Sequence, residues 1–163
     1  MSTSIIFDHL FTVENVDQDG KNFDRVSRIN AISTTPSLNC IIDLPVEVYS
    51  LSPNQKFTLA LSTSLSNQSG QDGSSQGWRP GMQNQGLAED YEYVCFGKIY
   101  KFDEEKQEVA YVYFYSILCI VMFKYFHSTA YISFGGLLLA ITGHVKYLSK
   151  LSVGDDIYLL IRK

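Results

Sequence analysis

Cys40-Ile41-Ile42-Asp43-Leu44-Pro45-Val46-Glu47-Val48 sets the reading of this chain: Cys40, Ile42, Leu44, Val46 and Val48 fall on one face, and Asp43, Pro45 and Glu47 on the other. A period of two is what a strand shows when one face meets a core and the other meets water. Pro45 on the outward face predicts an edge or a bulge, because its nitrogen cannot donate to a ladder. After a turn at Ser52-Pro53-Asn54, Phe57, Leu59 and Leu61 alternate with Lys56, Thr58 and Ala60 in the same way. Upstream, residues 5–13 and 25–32 are strand candidates, separated by the turn signal Asp17-Gln18-Asp19-Gly20.

Further along, composition changes abruptly. Residues 66–86 hold five of the 11 glycines, with Gln, Ser and Asn and few apolar residues beyond Trp78 and Met82. Burial cannot offset the ordering entropy of such a segment, so it reads as a long flexible loop. Leu87-Ala88-Glu89-Asp90 reads as one helical turn. Residues 91–102 return to strand character with aromatic and β-branched side chains on both faces, which predicts cover on both sides. Asp103-Glu104-Glu105-Lys106 reads as a polar hairpin end, and 137–142 and 157–161 as strands. Val145, Leu148 and Leu151 have helical spacing for one or two turns. About eight short strands with almost no helix predict an all-β barrel or sandwich.

The whole chain of 163 residues suits one domain, and 45% apolar against 18% charged residues provides for a core. Thirteen Lys and Arg against 17 Asp and Glu give a net charge of −4, the wrong sign for a protein that holds nucleic acid mainly by neutralising phosphates. Cys40, Cys95 and Cys119 are odd in number, far apart and each in an apolar run; they read as buried reduced thiols rather than disulfides or metal ligands. The first residues lack the basic region of a signal peptide. Asn67-Gln68-Ser69 therefore reads as a chance match to a glycosylation acceptor.

One stretch does not fit. Residues 109–126 are apolar and aromatic with Lys124 as their only charge. As a helix of roughly 18 residues they would reach about 27 Å, close to the thickness of a bilayer core. Strand-like flanks and scattered rather than belted Tyr and Phe argue against a membrane span. The alternative is that the stretch is foreign to the fold.

Several segments, read in order, resemble the small common subunit, eighth in the usual ordering, shared by eukaryotic DNA-directed RNA polymerases I, II and III. They are Ile6-Phe7-Asp8-His9-Leu10-Phe11-Thr12-Val13, Phe23-Asp24-Arg25-Val26-Ser27-Arg28-Ile29, the strand 44–49, and Trp78-Arg79-Pro80 followed by Leu87-Ala88-Glu89-Asp90-Tyr91-Glu92-Tyr93-Val94, the last two close to the fungal form. Gly97-Lys98-Ile99-Tyr100, Ser133-Phe134-Gly135-Gly136-Leu137-Leu138 and Tyr158-Leu159-Leu160-Ile161-Arg162-Lys163 complete the pattern. The resemblance covers nearly the whole chain, 1–163, as a single domain. It implies an OB-fold-like antiparallel barrel and a non-catalytic structural subunit without cofactor or metal, located in the nucleus including the nucleolus. That subunit would dock on the largest polymerase subunit and lie beside other subunits, with no membrane contact. By motif position, the implied interface is Tyr93, Gly97, Lys98, Tyr100, Tyr131, Phe134, Gly135 and Gly136.

The chain departs from the family at residues 111–128, where the family runs almost directly from the acidic hairpin end into the next strand. Ala110-Tyr111-Val112 can be encoded GCG-TAT-GTN, which contains the fungal-type splice donor GTATGT. His127-Ser128 can be encoded CAT-AGY, which contains an AG acceptor in the same phase. The expectation is that 111–128 is a translated intron.

His9, His127 and His144 are isolated in sequence, and no Gly-x-Ser-x-Gly, His-Glu-x-x-His or Cys-x-x-Cys occurs. Gly135-Gly136 lacks phosphate-loop spacing and reads as a tight bend. Asp103-Glu104-Glu105 and Asp155-Asp156 read as solvated turns. One basic-aromatic cluster remains: Lys21, Phe23, Arg25 and Arg28, with the two arginines on opposite faces of a regular strand. It suits weak, non-specific contact with a single-stranded nucleic acid, the alternative function for an OB-like barrel. The bland reading pairs these cations with Asp17, Asp19, Asp24 or a partner protein.

Overall fold

The computed structural model describes residues 4–18, 20, 23–34, 38–65, 86–106 and 126–163. The expected loop at 66–86 therefore lies outside the described residues apart from Gly86, as do Lys21, Cys119 and residues 107–125. Eight strands run in chain order: β1 (Ile5–Val16), β2 (Val26–Ser33), β3 (Asn39–Pro45), β4 (Lys56–Ser62), β5 (Tyr93–Lys106), β6 (Phe126–Phe134), β7 (Leu137–His144) and β8 (Asp156–Arg162). A 3-10 turn at Leu87–Asp90 and a single helical turn, α1 (Val145–Leu148), complete the described elements. The strands close in the order β1-β2-β3-β7-β6-β5-β8-β4, each pair antiparallel. The all-β barrel expected from the alternation is the observed fold. Among the described residues no helix is long and apolar enough to cross a membrane.

The inward set follows strand parity. Phe11, Phe57, Leu59, Leu61, Ile99, Ile132, Leu139 and Ile141 are wholly buried in one core. Cys40 and Ile42 face in as expected, but the alternation stops at Pro45. The Pro45 carbonyl accepts from both Val48 N (3.0 Å) and Tyr49 N (2.9 Å), so the chain turns there. Val46 and Val48 are consequently exposed rather than inward. Pro45 ends β3 opposite Val26 and marks neither an edge nor a bulge. Cys40 is buried and Cys95 half-buried, both as free thiols. Burial pushes the Cys40 thiol well above its ordinary range.

The two halves of the barrel repeat each other. Strands β1 to β4 correspond to β5 to β8: each half is a three-stranded meander, a turn and a closing strand. A bulge between Val13 and Asn15 matches one between Ile99 and Lys101. Asn54 N donates to Val13 O (2.9 Å) just as Gly154 N donates to Ile99 O (2.8 Å). Both donors occupy left-handed backbone, at φ 65° and 97°. Ser52 N to Gln55 Oε1 (3.0 Å) is likewise matched by Ser152 N to Asp155 Oδ2 (3.2 Å). Phe11↔Phe57 in one half thus corresponds to Gly97↔Ile157 in the other.

At one rim, Tyr49 stacks on Tyr93 (5.5 Å) and its hydroxyl donates to Glu92 Oε2 (2.9 Å). The same oxygen accepts from Lys163 N (3.4 Å), and Lys163 Nζ lies 4.8 Å above the Tyr49 ring. Burial, then the Glu92 carboxylate, raises the Tyr49 hydroxyl far above its usual pKa.

His9 sits between Phe7 (4.6 Å) and Tyr147 of α1 (5.4 Å), both edge-on. Desolvation depresses its pKa below the usual 6.5, and Asp8 opposes this only partly. The unfolded chain therefore binds more protons than the folded one between the depressed value and 6.5. Stability is complete above pH 6.5 and falls as pH drops through that window. Urea melts at pH 7.5 and pH 5.5 are expected to differ by more in the parent chain than in His9→Gln; equal differences would contradict this.

A candidate protein-docking face

The outer surface of β8, β5 and β6 gathers aromatic rings. On β5, Phe96, Lys98 and Tyr100 point away from the core, with Phe96 55% and Tyr100 47% exposed. Tyr158 lies opposite Phe96 on β8, with ring centroids 5.1 Å apart. Tyr131 on β6 lies 6.2 Å from Tyr100. The bulge makes Tyr100 the extra residue of β5, so Tyr100 and Lys101 both turn outward in succession. Lys101 Nζ stands 5.3 Å over the Tyr131 ring and donates to Asp103 (2.6 Å). That hydrogen bond raises Lys101 above the ordinary lysine value. Lys98 pairs with Asp156 at 3.4 Å. Among the described residues, both cations on this face thus have carboxylate partners within the chain, so the face offers an occupant rings beside internally compensated charges.

The implied interface residues separate into two groups. Lys98, Tyr100 and Tyr131 belong to the outer face. Tyr93 and Phe134 are only 8% and 5% exposed and belong to the core cluster. Gly97 lies directly beneath Phe134: a Cβ there would meet ring atom Cδ1 at 2.3 Å and the Ser133 carbonyl oxygen at 2.5 Å. Gly135 and Gly136 form the two-residue turn between β6 and β7, at φ 62° and 104°. Left-handed backbone at both central positions is the hairpin geometry that glycine tolerates best. Phe96 and Tyr158 join the face without having been singled out in sequence. Their signal was parity: Phe96, Lys98 and Tyr100 alternate with the inward Tyr93, Gly97 and Ile99, so the side chains of β5 divide between the core and the exposed face.

The second cluster is placed differently. Arg25 lies in the turn before β2 rather than on it, and pairs with Glu47 at 3.7 Å. Arg28 on β2 donates to both Asp43 oxygens, at 2.8 and 3.0 Å, and its backbone N donates to Asp17. Phe23 is 64% exposed. Among the described residues no group of three or more His, Cys, Asp or Glu is placed to hold a metal ion.

A closed antiparallel barrel with an exposed ring face beside internally paired charges has the composition suited to protein docking, without a reactive centre being implied. The chain belongs to the family described as RNA polymerase Rpb8, whose sequence profile matches residues 8–122 and 122–163. It is 34% identical over 162 residues to "DNA-directed RNA polymerases I, II, and III subunit rpabc3" of Dictyostelium discoideum, covering 99% of each chain. An Arabidopsis thaliana relative, "DNA-directed RNA polymerases II, IV and V subunit 8B", is 32% identical over 162 residues, 99% of this chain and 98% of its own. The Saccharomyces cerevisiae subunit RPABC3 is 30% identical over 166 residues, 99% of both chains.

Proposed function

We propose that this chain is a common, non-catalytic subunit of the nuclear DNA-directed RNA polymerases I, II and III. It sits on the largest subunit through the Phe96, Tyr100, Tyr131 and Tyr158 face and accompanies the enzymes into nucleus and nucleolus. The supporting observation is the inequality of the two halves. Positions equivalent to Phe96, Lys98, Tyr100 and Tyr158 in the first half hold Leu10, Thr12, Glu14 and Thr58 on the same strand geometry. The barrel itself does not require rings there; a partner that desolvates them does. Gly135 and Gly136 enter this reading by aiming β7 back from β6. A single-stranded nucleic acid is the weaker alternative, because Arg25 and Arg28 have acidic partners within the chain and the net charge is −4.

Tandem affinity purification of the tagged chain tests the proposal. Largest subunits of all three polymerases are expected in the eluate, at salt concentrations that strip phosphate-driven binders. Recovery of nucleic acid without polymerase would overturn it.

A further inference from the structure

The hairpin between β5 and β6 pairs Glu104↔Ser128, Glu105↔His127 and Lys106↔Phe126. Ser128 is 4% exposed, so the position opposite Glu104 faces the barrel interior. At the next position, His127 leaves Nδ1 buried with no hydrogen-bond partner. An orphaned buried polar atom of that kind is destabilising, because its lost hydration is not replaced. Two polar residues thus stand near the start of β6, one of them on the inward face that is otherwise apolar through Ala130, Ile132 and Phe134. The family profile also divides in two at residue 122, inside that stretch.

We infer that the working subunit is a shorter chain in which Ala110 is joined directly to Thr129, and that 111–128 is carried only by an unspliced form of the message. The ladder registers make the case. Removing 18 residues (128 − 110) puts Ala110 in the position of Ser128 and Val109 in that of His127, opposite Glu104 and Glu105. Lys106, Gln107 and Glu108 then close the hairpin as a three-residue connection, one of the common lengths. Every residue from Thr129 onward keeps its partner and therefore its face. Both exchanged positions improve: an apolar Ala enters the buried position, and Val replaces the residue with the orphaned nitrogen. Losing Ala110 as well would instead set Glu108 opposite Glu105, a destabilising like-charge pair.

The nucleotide arithmetic closes on the same residue. A donor that splits GCG after its second base and an acceptor that splits AGY before its third rejoin as GCY, which again reads Ala. Excision therefore keeps the frame, and both messages continue to Lys163. The unspliced form inserts its extra residues at the far end of the hairpin that presents Tyr100, Lys101 and Tyr131. Splicing thereby governs how much docking-competent subunit is made; this last step alone rests on the docking face proposed above.

Two measurements test the inference. Sequencing of mature message across the join is expected to read Ala110 straight into Thr129. Trypsin cleaves after Lys106, Lys124 and Lys146. The subunit isolated within polymerase is expected to yield one peptide running from Gln107 through the join to Lys146. Lys124-ending peptides from assembled polymerase, or mature message retaining codons 111–128 throughout, would overturn it. If the message is spliced as inferred but neither form purifies with polymerase, the docking reading fails and this one stands.

Discussion

Gly97→Ala is expected to cost about 3 kcal/mol, because overpacking a rigid core costs roughly 1–3 kcal/mol and neither neighbour here can give way cheaply. One clash is with the ring of Phe134, 5% exposed, and the other with the Ser133 carbonyl, a backbone atom in the ladder that pairs Lys98 with Ser133. Calorimetry is expected to show a melting temperature lower by roughly 10 °C, at about 2–4 °C per kcal/mol for a chain of this size. The double variant Gly97→Ala, Phe134→Leu is expected to recover at least about 1 kcal/mol relative to the sum of the single changes, since the two residues are in contact. A Gly97→Ala protein within about 0.5 kcal/mol of the parent would mean that Phe134 does not rest on that backbone.

The second large effect is on assembly rather than folding. Phe96→Ser with Tyr100→Ser removes the two most exposed rings of the outer face, and exposed positions usually change stability by no more than about 0.5 kcal/mol. Buried aromatic anchors of an interface are commonly worth about 2 kcal/mol each. Recovery of polymerase with the tagged double variant is therefore expected to fall at least about 10-fold. The control is built into the repeat: Leu10→Ser with Glu14→Ser alters the equivalent positions of the other half and is expected to leave recovery unchanged. Equal losses in the two variants would remove the distinction between the faces.

Much of this barrel was legible in the alternation of apolar residues. Cys40 and Ile42, and Phe57, Leu59 and Leu61, face the core as their parity requires. Parity failed at Val46 and Val48, because a proline carbonyl that accepts two successive N–H groups turns the chain whatever the following side chains prefer. The ring face was half legible. Tyr100 and Tyr131 were marked by motif position, but Phe96 and Tyr158 meet only through the long-range pairing of β5 with β8, which no local pattern announces. Tyr93, Phe134 and Gly97 matched the same motifs, yet their packing shows a structural requirement: a ring over a glycine and a stacked tyrosine pair. The repeat itself left a faint signature, Leu51-Ser52 and Leu59 against Leu151-Ser152 and Leu159. Only the matched bulges and turn hydrogen bonds make it plain.

The ring face is tested most directly by photo-cross-linking within assembled polymerase, with p-benzoylphenylalanine placed at Tyr100 in one preparation and at Leu10 in another. The account predicts a covalent adduct to the largest subunit from position 100 and none from position 10. Adducts from position 10 alone, or from neither position in an enzyme that contains the subunit, would contradict it.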